Sequence, residues 1–69
     1  MKEVKIYTEF IKLDDFLKFA GVSGTGGMAK AVIQDGLVTV DGEVCTMRGK
    51  KLRGGEVVSF NGETVKVTK

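Results

Sequence analysis

Met28-Ala29-Lys30-Ala31-Val32-Ile33-Gln34-Asp35-Gly36-Leu37-Val38-Thr39-Val40-Asp41-Gly42: within this stretch the hydrophobic period changes from that of a helix to that of a strand, and the change decides the fold. Met28, Ala29, Val32 and Ile33 recur at the spacing of one helix face, with Lys30, Gln34 and Asp35 turned outward, so a helix is predicted over residues 27–35. Gly36 follows the last periodic residue and can close the helix in the left-handed conformation. Val38 and Val40 then alternate with Leu37 and Thr39, as in a strand. Asp41-Gly42 ends the strand with the chemistry of a type I′ turn, which needs positive φ at both central positions.

The same logic extends to both sides. Leu13, Phe16, Leu17 and Ala20 lie on one face of an earlier helix. Asp14 and Asp15 sit in its first turn, where the helix dipole favours carboxylates, and Gly21 is its cap. Residues 22–27 form the loop between the helices, and residues 3–8, with Val4 and Ile6 on one face, read as an N-terminal strand. After Asp41-Gly42, Val44 to Met47 return as an antiparallel strand. A basic loop follows, with Leu52 as its core anchor and Gly54-Gly55 as its end. Glu56 to Phe60 and Thr64 to Val67 form a second hairpin around Asn61-Gly62, the same turn solution used twenty residues later. Neither helix is long enough to persist alone in water, so both must pack on the sheet. The expected fold is α+β: a helix–loop–helix packed on a small antiparallel sheet of hairpins.

A chain of 69 residues holds one domain with a thin core, taken here as residues 1–69. Cys45 is the single cysteine, so no internal disulfide forms, which fits a reducing compartment or indifference to redox state, and it reads as a half-buried structural thiol. With no histidine, the usual acid–base residue and a common zinc ligand are missing. Asp14 and Asp15 are adjacent on a helix and point in different directions. Ser23 and Ser59 have no base. These features predict no catalytic residues, no metal and no cofactor. No apolar run approaches the roughly 20 residues that cross a bilayer, and no signal pattern opens the chain, so a cytoplasmic protein without membrane contact is expected.

Eleven Lys and Arg oppose nine Asp and Glu, a net charge of only +2. The distribution is more informative. Lys2, Lys5, Lys12 and Lys18 are balanced by Glu3, Glu9, Asp14 and Asp15, whereas residues 48–53 read Arg-Gly-Lys-Lys-Leu-Arg with no acid. At cellular salt, where screening acts over about 8 Å, a local cluster produces a usable field and a diffuse excess does not. A solvated loop is the usual fate of such a short charge run; against it, strands at both ends and Leu52 within would hold Arg48, Lys50, Lys51 and Arg53 in place. Lys12 and Lys30 stand near the two helix starts and extend the patch. Gly24-Thr25-Gly26-Gly27 precedes the second helix and offers backbone N–H groups to a phosphate, but lacks the Lys-Ser/Thr ending of a nucleotide-binding loop; a tight turn between helices is the equal alternative.

Lys12-Leu13-Asp14, Leu17, Ala29-Lys30, Ile33, Gly36-Leu37-Val38-Thr39-Val40-Asp41-Gly42, and Leu52 with Gly55-Glu56, taken in order, resemble the RNA-binding domain named after the fourth ribosomal protein of the small subunit, the S-four domain. Phe16-Leu17-Lys18, Gly26-Gly27-Met28-Ala29-Lys30 and the run from Arg48 to Gly55 are similar to its short stand-alone bacterial members, the YaaA-like group. The resemblance covers residues 4 to about 67. It implies the alpha-L RNA-binding motif and binding of structured RNA, ribosomal or transfer RNA, with the ribosome as an associated partner. Carried over by position, the contacts are Lys12, Thr25, Gly26, Gly27 and Lys30, joined by Arg48, Lys50, Lys51 and Arg53 from the YaaA-like pattern.

Two departures stand out. Thr25 and Gly26 occupy positions where many S-four domains have Ser-Arg, so backbone amides replace a side-chain cation. Asp41 occupies a position where many have Asn, and with Asp35 it weakens the local positive field. The expected state is a monomer. The competing readings are a protein-interaction module in a ribosome- or replication-associated assembly, a DNA-binding domain, and an accessory domain to an enzyme.

Overall fold

The computed structural model describes residues 2–22 and 26–69, Gly26 through its backbone alone. Ser23, Gly24 and Thr25 of the expected phosphate-binding loop lie outside the described residues. The chain runs β1 (Lys2–Lys5), β2 (Ile11–Lys12), α1 (Leu13–Phe19), α2 (Gly26–Gln34), β3 (Val38–Val40), β4 (Glu43–Val44), β5 (Lys51–Leu52), β6 (Val57–Phe60) and β7 (Glu63–Thr68). Five strands form one sheet in the order β1-β7-β6-β3-β4, and β2 with β5 form a separate two-stranded ribbon.

Both helices terminate in the same way, and the glycines explain it. After α1, Gly21 adopts φ +74°, its N–H donates to the carbonyl of Lys18, and that of Val22 donates to Leu17. After α2, Gly36 adopts φ +76°, donates to Ile33, and Leu37 donates to Val32. These are paired Schellman closures, in which a left-handed residue lets two N–H groups reach back to orphan carbonyls. The two hairpins are equally alike. Asp41 and Gly42 have φ of 53° and 85°, and Asn61 and Gly62 have 53° and 81°. Asp41 does more than turn the chain: its Oδ1 accepts the Val57 N–H at 3.0 Å, tying the first hairpin to β6.

The core unites the two layers. Leu13, Phe16, Leu17 and Ala20 from the first helical segment and Ala29 and Ile33 from α2 meet Val38, Val40, Val58, Val65 and Val67 of the sheet, with Ile6 and Leu52 completing the cluster. Within α2 the expected apolar stripe is narrower than its sequence pattern. Ala29 and Ile33 are buried and Val32 is at the margin, but Met28 is 55% exposed. A helix packed on a thin core buries the centre of its stripe and leaves the edge in solvent.

Three expectations need correction. The sheet is mixed, because β1 pairs parallel with β7. A hairpin turn fixes antiparallel direction between neighbours in sequence, but β1 and β7 lie at opposite ends of the chain, where no turn dictates direction. The N-terminal strand ends at Lys5 and not at residue 8, although Ile6 makes one further backbone bond to Thr68. The return strand expected over Val44 to Met47 shortens to Glu43–Val44; Cys45 still donates its N–H to Val38, and the chain then leaves the sheet.

Candidate nucleic-acid interface

The β2–β5 ribbon builds this site. Ile11 lies opposite Leu52, and Lys12 lies opposite Lys51. Leu52 is fully buried and points into the core, so period-two alternation turns Lys51 and its partner Lys12 to solvent. Side chains directly opposite on an antiparallel pair have Cβ atoms about 5 Å apart, and like charges there repel. Two lysines on one exposed face of the ribbon offer a pair of cations to an anion.

The ribbon continues directly into α1, and the basic loop closes the start of that helix. The N–H of Leu13 donates to the carbonyl of Lys50 at 2.9 Å, and that of Asp14 donates to the carbonyl of Arg48 at 3.1 Å. Lys12, the N-cap residue, makes no side-chain capping bond, so the loop's backbone performs the task that Ser or Asp performs in other helices. Through these bonds Arg48, Lys50, Lys51 and Lys12, from segments far apart in sequence, are gathered at one end of α1, and all four side chains are exposed.

Two residues that the sequence reading did not single out organise the rest of the loop. Phe10 lies beneath two of the cations: Lys51 Nζ is 4.9 Å and the Arg53 guanidinium carbon 5.8 Å from its ring centroid. Glu56, expected to be only the first residue of a strand, clasps the end of the loop. Its two carboxylate oxygens accept the Arg53 N–H at 2.8 Å and the Gly54 N–H at 2.7 Å. Partial burial pushes the Glu56 carboxyl up, but the N–H groups of Arg53, Gly54 and Glu56 itself, with the charge of Lys50, outweigh it and leave the group lowered. The sequence signal was an acid directly after Gly54-Gly55, where a turning backbone presents N–H groups without other partners.

A pH dependence follows with a definite sign. A folded-state pKa below the unfolded value makes the clasp fully stabilising above the unfolded carboxylate's titration, about pH 4.3, and the contribution is lost as pH falls through the lower folded value. Glu56→Gln is therefore expected to be less stable than the parent at neutral pH, with the difference narrowing below about pH 4 in thermal melts. A difference that stays constant with pH would show that the carboxylate's charge has no part in the clasp.

Lys30, Gly26 and Gly27 belong to α2. Lys30 is exposed on α2, and the bonds that gather the other cations do not include it. Gly26 and Gly27 form the first turn of α2, with Gly27 exposed and no residue within 4 Å of a Cβ placed on it. Open space there leaves the helix start accessible. Thr25 lies outside the described residues.

Residues 4–68 match the family model described as the S4 domain. The chain belongs to the S4 domain family. YbcJ of Escherichia coli, which carries the name of an RNA-binding protein, is 44% identical over 57 residues, covering 83% of this chain and 81% of that protein. RlbA of Bacillus subtilis, named for ribosome maturation, is 44% identical over 59 residues, covering 86% and 83% respectively. Among solved structures, the solution structure of E. coli YbcJ, described as revealing an alpha-L motif involved in RNA binding, superposes with a TM-score of 0.76 at 37% identity, covering 100% of this chain and 89% of that one. The helix pair and mixed sheet of this S4 domain are therefore shared with YbcJ. In this chain the first helix start and the basic loop are joined by two backbone bonds.

Proposed function

We propose that this S4 domain binds structured RNA through phosphate contacts and shape, and that Lys12, Arg48, Lys50, Lys51 and Arg53 form the centre of the contact. The observation that carries this reading is the opposed pair Lys12 and Lys51, set face to face where the loop closes α1. Lys30 and the backbone at Gly26-Gly27, with Thr25, extend the contact along the second helix. The relatives' names, one for RNA binding and one for ribosome maturation, support RNA as the partner. Double-helical RNA hides its base edges in a deep, narrow groove, so recognition by backbone and shape suits a protein that offers fixed cations. The target is ribosomal or transfer RNA, met in the cytoplasm by a monomer, and the role is binding and not catalysis.

Fluorescence anisotropy with an RNA hairpin and a DNA hairpin of the same sequence tests this directly. Five neutralised phosphates correspond to a loss of affinity of about a hundredfold or more between about 50 and 200 mM salt. The RNA hairpin is expected to bind more tightly than the DNA. Affinity that stays flat with salt rejects the phosphate mechanism, and equal binding of both hairpins makes the domain a general polyanion binder.

A further inference from the structure

Tyr7 is 83% exposed, more than any other large hydrophobic side chain among the described residues. Phe16, by contrast, is fully buried, Phe10 and Phe60 are partly buried, and Phe19 is 57% exposed. Nothing in the core needs Tyr7, so its exposed ring has no packing role to explain it. Its position is constrained from both sides. Ile6 is held to Thr68 by a backbone bond, and Phe10 is held beneath Lys51 and Arg53. The Thr8 hydroxyl donates to the Phe10 carbonyl at 2.7 Å, closing the short turn between them, and Glu9 pairs with Arg53 at 3.8 Å. Three residues span at most about 11 Å of backbone, so Tyr7 lies on the same short segment as Phe10, whose ring carries the Lys51 and Arg53 cations. Lys5 Nζ lies over one face of the Tyr7 ring, 5.5 Å from its centroid, so a base would stack on the other.

We propose that Tyr7 is a stacking site for an unpaired nucleotide: the base lies on the exposed phenol ring, its phosphate meets Lys5, and the strand continues toward Lys51 and Arg53. The proposal rests on the RNA-binding reading and adds to it a second mode of contact. The cations grip paired RNA by its backbone, and the Tyr7–Phe10 segment holds a single-stranded nucleotide at the edge of the helix. An aromatic face close to a lysine suits a base with its phosphate better than it suits an apolar protein surface, which would desolvate the Lys5 ammonium without offering it a counter-charge. Stacking on an aromatic side chain is tolerant of base identity, so the site selects unpaired over paired nucleotides and not one sequence.

The test uses two probes: a blunt RNA duplex, and the same duplex with a short 3′ overhang of unpaired adenosines. The parent protein is expected to bind the overhang duplex about tenfold more tightly than the blunt one. Tyr7→Ala is expected to erase that advantage and leave blunt-duplex binding unchanged. Tyr7→Phe should keep the advantage, because the ring face is retained, and Tyr7→Leu should not, because apolar area without a π-face cannot stack. Retention of the advantage by Tyr7→Ala, an equal loss on both probes, or full rescue by Tyr7→Leu would overturn the stacking site. If the parent binds both duplexes equally, this inference alone fails; if it binds neither, the RNA-binding reading fails with it.

Discussion

A Leu52→Ala variant is expected to lose about 2–5 kcal/mol of stability in urea denaturation. Leu52 is fully buried and is among the largest buried side chains, so the loss comprises both the transfer term and the cavity left behind. A domain of this size has a total stability of about 3–10 kcal/mol, so a large part of it depends on this residue. The consequence for the site is specific. Leu52 is the inward partner of Lys51 on β5, and its burial fixes which face of the ribbon carries the cations. Where the variant remains folded, its affinity for RNA is expected to fall although no charge has been removed. Leu52→Met, which conserves volume, should cost less than about 1.5 kcal/mol and keep the affinity. If Leu52→Ala loses less than about 1 kcal/mol, the loop is not anchored by this side chain.

Changing Arg48, Lys50, Lys51 and Arg53 together to alanine is expected to lower RNA affinity by about a hundredfold at low salt and to flatten its salt dependence. Each removed phosphate contact takes roughly 0.7–0.9 from the slope of log affinity against log salt, so the four together should remove about three. Stability should change far less. The bonds that close α1 come from the backbone carbonyls of Lys50 and Arg48, which alanine retains. The contacts of Lys51 and Arg53 with Phe10 are exposed cation–π contacts of about 0.5–1 kcal/mol each. A variant that melts close to the parent and no longer binds assigns the loop to recognition. One that binds normally with an unchanged salt slope removes the loop from the site.

The parts of this structure that were legible in the sequence are those set by local sterics. Asp41-Gly42 and Asn61-Gly62 adopt positive φ at both positions because few other pairs tolerate it, and Gly21 and Gly36 close their helices for the same reason. The buried faces of the two helices followed from period, with Met28 as the exception at the margin of a thin core. What depended on distant pairing was not legible. A two-residue strand has no period, so neither the β2–β5 ribbon nor the meeting of Lys12 with Lys51 has a sequence signature. The parallel direction of β1 is likewise set by the tertiary fold. For the site, the charge run at residues 48–53 was visible, but what holds it was not. Phe10 lies nearly forty residues before the loop it supports, and Glu56 reads as a strand residue until its carboxylate is seen bridging two N–H groups.

The central claim is one of location: RNA lies across the cations gathered at the start of α1. The most direct measurement is a titration of isotope-labelled protein with an RNA hairpin, following backbone amide chemical shifts. The account predicts the largest shifts at Lys12, at residues 48–54 and through the first turn of α2, with the Asn61-Gly62 turn unchanged. Shifts centred on Asn61, Gly62 and Glu63, at the end of the β6–β7 hairpin away from Glu56 and the basic loop, with residues 48–54 silent, would contradict it.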